Sequence, residues 1–527
     1  MNDTCGNDTA AGRADEGRAQ AGAHGRAETA PAGRTHATLT RREFARAGVL
    51  GGAALFALGG LFGCAPSQGA GAEPSETIDC DVLVVGGGGA GVTAAGQAAD
   101  AGAKTVLIEK MDHLAGSSSL ALGTFYGAGT SLQKAAGIED DPEGLLRYFL
   151  SRGGDKLDYE MQEFCAYHFG ETIDWLVGDL QVPFKEKVSK KGTDTVARGH
   201  NCANAAIDAL RAVTSYAAER GVSFHFNTEA RSLIMEDGAV AGVIATTSTG
   251  KTVAYRAKRT IMASGGFCRN QDMIEQYCPD YAGVYTEVGP GCTGEGLRMG
   301  LDVGADYLGH GGTNGILACS VQAGQSPLID KKAMWVDSSG RRFINEDGQT
   351  HDIYYQVAHF PDQSFFAVYD QAMVDALSDE ERPFFEFGLE RGVFAQGDTP
   401  EQAAEALGID GTALADELAA YNAAAAAGVD AAFGKKADNL KAIDRAPFYV
   451  LTLGVCTHGS FGGYRVNTRF EVLDTQGEPI PSFYAVGEVS CGTFIYDDYP
   501  AGGCGLNYSY TSGRFAGRNA AESIASA

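Results

Sequence analysis

The stretch Gly86-Gly87-Gly88-Gly89-Ala90-Gly91 places glycine at its first, third and last positions, and an acid, Glu109, follows it downstream. From the glycines to the acid is close to the roughly 20 residues that separate pyrophosphate and ribose contacts in a dinucleotide site. Each position has a job there. Gly86 permits a tight turn, Gly88 lets the backbone approach a pyrophosphate, and Gly91 lets a helix pack closely on a strand. The helix that begins here offers its N-terminal N–H groups to phosphate, and a carboxylate at Glu109 accepts from ribose hydroxyls. The flanking residues supply the elements. Asp79-Cys80-Asp81-Val82-Leu83-Val84-Val85 is a short apolar, β-branched run and reads as a buried parallel strand. Val92 to Ala101 has helical composition, and Lys104-Thr105-Val106-Leu107-Ile108 is a second strand ending at Glu109. The glycine pattern alone is a weak signal; strand, glycines, helix, strand and acid in order are a strong one for a dinucleotide.

Three later stretches narrow the cofactor. Thr260-Ile261-Met262-Ala263-Ser264-Gly265-Gly266-Phe267 is a strand running into a glycine turn, Phe483-Tyr484-Ala485-Val486-Gly487-Glu488 is a strand ending in Gly-Glu, and Gly513-Arg514-Phe515-Ala516-Gly517 opens a terminal helix. Together with the first motif, these resemble the fumarate reductase and succinate dehydrogenase flavoprotein superfamily, which includes 3-ketosteroid dehydrogenases and urocanate reductase. The resemblance runs from about Asp79 to the C-terminus. It implies FAD, held in its first part by Gly86, Gly88, Gly89, Ala90, Gly91, Glu109 and Lys110. Gly116, Ser117 and Ser118 come from a serine segment that the family places after the acid. The later contacts implied are Ala263, Gly265, Gly266, Gly487, Glu488, Gly505 and Leu506. Members with covalent FAD carry a histidine within the serine segment; here Gly116 to Gly123 holds none and His113 lies upstream, so non-covalent FAD is expected.

The fold implied is α/β: a discontinuous Rossmann-like FAD-binding domain with a parallel sheet, plus an inserted α+β capping domain. The boundaries expected are 1–77 for a leader and tether, 78–279 and 439–527 for the FAD-binding domain, and 280–438 for the cap. Thr293-Gly294-Glu295-Gly296 and Arg341-Arg342-Phe343-Ile344-Asn345-Glu346 match cap motifs of the family, and the alanine-rich stretch from Pro400 to Gly428 reads as a surface helix.

The family's dicarboxylate machinery is missing. Its carboxylate-binding arginine falls on Pro500 within Tyr499-Pro500-Ala501-Gly502-Gly503-Cys504-Gly505, and the Thr-Arg-Asp after the Asn-Glu pair becomes Thr350-His351-Asp352. A dianion would lose most of its charge-assisted partners. In their place Tyr499 and Gly503 look like the tyrosine hydroxyl and glycine amide that hold the substrate carbonyl in 3-ketosteroid dehydrogenases. Such a pair is an oxyanion hole of two neutral donors. His458, ahead of Gly462-Gly463, matches a substrate-contacting histidine of the family. For the proton partner, His351 comes first, then Tyr354 and Tyr355. Tyr496, Asp497 and Asp498 flank the site.

The activity expected is hydride transfer between flavin and a carbon–carbon bond conjugated to a carbonyl, run as a reductase. Alternatives are desaturation of a ketosteroid-like substrate, reduction of an unsaturated carboxylate such as fumarate or urocanate, and a non-catalytic flavin electron-transfer protein. With no haem motif and no second flavin domain in the sequence, the electron donor is expected to be a separate protein of the membrane quinol oxidase or cytochrome type.

Composition sets the remaining bounds. Among 527 residues 72 are glycine, which fits many tight turns. A net charge of −26 repels phosphate backbones and anionic lipid, so nucleic acid is excluded as a partner. Twelve cysteines form no CxxC or CxxCH, which argues against c-type haem and clustered iron–sulfur ligands; no metal site is read from them. Residues 1–40 lack an apolar period and read as disordered. Thr40-Arg41-Arg42-Glu43-Phe44 then precedes an apolar stretch, Ala47 to Phe62, that is too short and glycine-rich to span a bilayer. The order resembles a twin-arginine export signal. Leu61-Phe62-Gly63-Cys64 looks like a lipoprotein box, with lipidation at Cys64 or cleavage by signal peptidase nearby as the two readings. A periplasmic or cell-surface location follows as the expectation, with membrane contact only through the signal or a lipid anchor.

Overall fold

Apolar, β-branched runs become the centre of a parallel sheet. The computed structural model describes residues 73–319, 322–325, 328–379 and 381–526. The leader, the paired arginines and Cys64 lie outside the described residues.

Strand β1 (Glu76–Val85) buries Val82, Leu83, Val84 and Val85, and helix α1 (Gly89–Asp100) starts directly after the glycine turn. Strand β2 (Thr105–Ile108) returns parallel to β1, with Val85 beside Ile108. This closes the strand–helix–strand unit expected of the spacing. Further along come β3 (Thr124–Tyr126), α2 (Pro142–Gly153), α3 (Tyr159–Gly178), β4 (Gly199–Asn201), α4 (Ile207–Glu219) and β5 (Ser223–His225). An antiparallel run of β6 (Thr228–Glu236), β7 (Ala239–Thr247) and β8 (Thr252–Met262) follows. β8 lies parallel to β1 on the side away from β2. The sheet is completed from the far end of the sequence by β15 (Glu471–Leu473) and β16 (Pro479–Ala485), and its order is β15-β16-β8-β1-β2-β5. Helix α5 (Glu295–Leu301) packs on β6 of this sheet, so the Thr293–Gly296 turn expected in the cap belongs to the FAD-binding layer.

A second, antiparallel sheet carries the cap. Its strands are β9 (Thr313–Cys319), β10 (Gln322–Gln325), β11 (Met334–Val336), β12 (Ser364–Asp370), β13 (Phe394–Gly397) and β14 (Phe448–Ser460), in the order β10-β9-β14-β12-β11 with β13 also on β14. Helix α6 (Thr350–Ala358) packs on β9 and β14. β14 falls after the boundary expected at 438/439, yet it is central to the cap sheet, where it pairs with β9, β12 and β13. Its last residue, Ser460, donates from N–H to Glu488 at 2.8 Å, so the strand also ties the cap to the glycine–glutamate turn.

The alanine-rich stretch is not one surface helix. It breaks between Glu405 and Gly411, where Gly408 takes a φ of +76°, and helix α7 (Gly411–Ala427) buries Leu414, Leu418 and Tyr421 on the cap sheet. The Arg-Phe-x-Asn-Glu motif braces this layer. Arg342 Nη2 lies 2.8 Å from Glu346 and 2.9 Å from Asp430, Lys435 Nζ is 3.6 Å from Glu346, and all four side chains are buried. Burial pulls the Lys435 ammonium down to about 8 despite Glu346. Removing one member leaves an uncompensated buried charge, so Arg342→Met should lower unfolding stability by about 3–5 kcal/mol, measured as a fall in urea midpoint at unchanged m-value.

The terminal helix α8 (Cys504–Ala525) lies against α1. A Cβ at Gly513 would meet Ala90 O at 2.5 Å and one at Gly517 would meet Ala94 O at 2.2 Å. These two glycines therefore set the backbone-to-backbone approach that fixes where the N-terminus of α8 points. Asn507 donates to Tyr126 O at 2.9 Å and to Phe169 O at 3.1 Å, which locks that end to β3 and α3.

Candidate active site

The β1–α1 turn opens on a cleft with about 1030 Å³ of empty space. Gly86, Gly88, Gly89, Ala90, Glu109, Lys110, Gly116, Ser117, Ser118, Ala263, Gly265, Gly487 and Glu488 all line it. Gly86 has a φ of +116°, and a Cβ there would meet Ala263 O at 2.3 Å. Gly91 lies beneath the surface, where a Cβ would meet Gly86 O at 2.0 Å, so its role is packing. Gly88 differs from both. Its backbone is extended, at φ −80° and ψ −179°, and an added Cβ would have only Gly116 Cα within reach, at 3.9 Å. Nothing in the protein forbids a side chain at Gly88; the space it leaves is a cradle for a ligand.

The donors and acceptors suit a dinucleotide. Glu109 Oε2 accepts from Gly87 N–H at 2.6 Å and Oε1 from Met111 N–H at 2.8 Å, which fixes the carboxylate at the end of β2. The N-cap of α1 is Gly88, which has no side chain to cover the first turn, so the helix N-terminus can face phosphate. Ser118 Oγ accepts from Gly89 N–H at 3.1 Å and Ser117 Oγ from Gly289 N–H at 3.0 Å, and these bonds hold the serine segment over the turn. Lys110 is held by Thr293 at 2.6 Å and Glu295 at 3.1 Å, linking the acid strand to the turn before α5. Ser264 lines the cleft with a buried hydroxyl that has no protein partner. The residues present fit FAD. Gly266 does not line the cleft, because Glu488 Oε1 would sit 2.0 Å from a Cβ there. Gly505 and Leu506 line the neighbouring cavity instead.

That cavity shares Ser117, Ser118, Glu488 and Ser509 with the first cleft and runs between the FAD-binding layer and the cap. It gathers side chains from three distant parts of the chain: His351 at the start of α6, His458 near the end of β14, and Tyr499 just before α8. Gly503, the N-cap of α8, lines it too. Tyr499 OH accepts from Gly505 N–H at 2.7 Å, inside the first turn of α8. Its ring stacks on Phe461 at 6.0 Å and lies 5.2 Å from the His351 ring. Burial holds the Tyr499 phenol well above its usual value, so the group is a neutral donor.

His351 Nε2 lies 2.9 Å from Asn314 Oδ1 on β9. Burial, with the Arg152 guanidinium and His458 adding to it, pushes the imidazole down to about 4. A neutral ring that donates from Nε2 to Asn314 keeps a lone pair on Nδ1. His458 Nε2 lies 3.3 Å from Glu287 Oε2; burial lowers this histidine and Glu287 opposes the shift.

Tyr354 and Tyr355 do not line the cavity. Tyr354 OH is buried between Thr313 Oγ1 at 2.7 Å and Thr457 Oγ1 at 2.8 Å, and Tyr355 OH is buried without a partner. Pro500 is buried, and its carbonyl accepts from Tyr148 OH at 2.6 Å. Asp498 and Asp497 pair with Arg152 and Lys156, and Tyr496 stacks on His310, so this flanking loop is tied to α2 and the segment after it. Three lining residues carried no signal in the sequence: Glu287, Asn314 and Lys191. Lys191 is the one lysine or arginine among the described residues lining the cavity, and it makes no ion pair there. Each is placed by pairing or packing across the fold rather than by a local motif.

Comparison with known proteins matches the FAD binding domain family over residues 81–506. The chain is similar to "Fumarate reductase (cytochrome)" of Shewanella frigidimarina, 28% identical over 85% of this chain and 78% of that protein. It is similar to "Urocanate reductase" of Eggerthella lenta, 29% identical over 84% of this chain and 75% of that one. Among solved structures it resembles 3-ketosteroid-Δ4-(5α)-dehydrogenase of Rhodococcus jostii RHA1 in complex with 4-androstene-3,17-dione. There the TM-score is 0.71 and the identity 27%, over 86% of this chain and 99% of that chain.

Proposed function

The chain belongs to the FAD binding domain family and uses FAD, and from that premise we propose that it is a reductase of carbon–carbon double bonds conjugated to a neutral carbonyl. The observation that carries this reading is the Tyr499 hydroxyl on the wall of the cavity, its oxygen already accepting from Gly505 N–H. With that acceptor position taken, the hydroxyl proton is the group left to offer. Gly503, at the N-terminus of the 22-residue helix α8, supplies the second donor, and the helix dipole adds positive potential at the same place. Two neutral donors stabilise an oxygen that gains charge as the double bond is reduced.

FAD, when bound non-covalently, supplies the hydride chemistry. The chain's own residues do the rest. Phe461 and His351 hold the Tyr499 ring between them. His351, neutral above about pH 4 and braced by Asn314, is the proton partner at Nδ1: the lone pair there takes a proton from solvent and passes it to the substrate carbon as the double bond is reduced. His458, on the Glu287 side, borders the substrate. The relatives act on a dicarboxylate, on urocanate and on a steroid ketone by their names, and a cavity with no arginine among the described residues that line it supports the ketone class. A second reading, an unsaturated monocarboxylate, is favoured by Lys191 alone.

Anaerobic reoxidation of the reduced protein by enones, steroid enones, unsaturated monocarboxylates and fumarate separates these. Enones should reoxidise it fastest, with fumarate about 10–100-fold slower for want of charge-assisted bonds. Equal rates with fumarate would overturn the reading, and a monocarboxylate ahead of every enone would establish the second one.

Export also belongs to this proposal, on the strength of Thr40-Arg41-Arg42-Glu43-Phe44 and the apolar stretch after it. So does a separate electron donor of the quinol or cytochrome type. Replacing Arg41 and Arg42 together with Lys should leave the protein inside the cell with FAD bound; normal export of that variant would remove the assignment.

A further inference from the structure

We propose that Glu287, Cys456 and His458 form a binding site for a divalent cation of the zinc class, set in the wall of the substrate cavity. The three residues meet because of strand register. Cys456 and His458 lie two apart on β14, where the pairing with β9 shifts by one residue at His458; their ligand atoms come together while Thr457 between them bonds Tyr354. The segment carrying Glu287 runs parallel beside them, with Thr286 opposite Thr457, Glu287 N–H donating to Thr457 O at 2.9 Å and Thr457 N–H to Tyr285 O at 2.8 Å. That register brings Glu287 to Cys456 and His458.

The ligand atoms are spaced for one ion. Glu287 Oε2 is 3.3 Å from His458 Nε2 and 3.9 Å from Cys456 Sγ, and all three atoms lie within 4.8 Å of one another. Zinc bonds of about 2.0–2.3 Å to oxygen, nitrogen and sulfur put tetrahedral ligands at roughly that spacing. Thiolate, imidazole and carboxylate select zinc over magnesium or calcium, which take oxygen ligands. Binding replaces a proton: the one on Cys456 Sγ, directed at Glu287, leaves to solvent as the sulfur–metal bond forms. The β14 backbone fixes two ligands before any metal arrives, so little ordering is needed. Cys456 is buried, whereas Glu287 and His458 line the cavity, so a fourth position opens toward the substrate. An ion there is available to an oxygen of whatever fills the cavity, and it displaces a substrate that lacks one.

The test is equilibrium dialysis of the full-length FAD-loaded protein against zinc, followed by cobalt substitution read at wavelengths beyond the flavin absorption. One zinc per chain is expected, with tetrahedral cobalt bands. Cys456→Ser and Glu287→Gln should each weaken zinc at least about tenfold, with the flavin spectrum reporting that each variant is folded. Magnesium at the same concentration should not bind. No stoichiometric zinc on the wild type, or zinc affinity unchanged in both folded variants, overturns the site. Neither result depends on which substrate the enzyme reduces.

Discussion

Tyr499→Phe is expected to turn over an enone substrate about 10²–10³-fold more slowly, the usual loss for one oxyanion-hole donor, while binding FAD normally. The side chain meets the cavity, not the dinucleotide cleft, so the flavin contacts stay intact. The Phe ring keeps the stack on Phe461 and the contact with His351, so only the hydroxyl is removed. The change also leaves Gly505 N–H without its acceptor, and a fall in stability of about 1 kcal/mol accompanies it. Anaerobic rapid mixing of the reduced protein with enone reads the rate, and the flavin spectrum with a urea titration reads the rest. A rate equal to wild type would take Tyr499 out of the reaction and the neutral-carbonyl reading with it.

Gly88→Ala is expected to weaken FAD on the order of 100-fold, about 2.7 kcal/mol, with apo-protein stability almost unchanged. The argument rests on the contrast between three glycines of one motif. Gly86 and Gly91 are glycine because the protein's own backbone leaves no room, Gly86 through its positive φ as well. Gly88 has ordinary extended dihedrals and an open neighbourhood, so alanine fits the apo fold. The methyl group then occupies the space through which a pyrophosphate reaches the start of α1. Gly91→Ala is the control: it should damage folding itself, because α1 must move off β1. Comparing FAD titration with apo-protein unfolding across the two variants separates a ligand glycine from a packing glycine. Normal FAD affinity in Gly88→Ala would mean that the pyrophosphate lies elsewhere in the cleft.

Much of the cofactor half of the site was legible along the chain, since each of its parts is a short-range pattern. A buried strand, a glycine turn, a helix and a second strand fall within residues 76–109, and the acid closes the second strand. The strand β14, beyond the boundary expected at 438/439, was not legible as part of the second sheet, because it joins that sheet through hydrogen bonds to β12 and β9. The assignment of helical side chains was harder still. His351 and Tyr354 are three apart on α6, yet one meets the cavity and the other is spent on Thr313 and Thr457. Helical spacing puts both on one side of the helix; which neighbours each meets depends on how α6 lies across β9 and β14. The arginine motif read from the sequence only as a match to the cap, and its Arg342 is held in a buried ion network.

By itself the sequence determined the dinucleotide turn, and its resemblance to the flavoprotein superfamily implied FAD and a proline, Pro500, where that family has a carboxylate-binding arginine. The turn follows from residue identity at fixed spacing, which no folding can alter. The tertiary structure decided that Tyr499, His351 and His458 share one cavity, that Tyr354 does not, and that Glu287 sits beside Cys456 and His458 although 171 positions separate it from His458. Contacts of that span are settled by strand register and by the packing of α8 on α1, where the energy depends on both partners at once, and neither partner's local sequence carries that information.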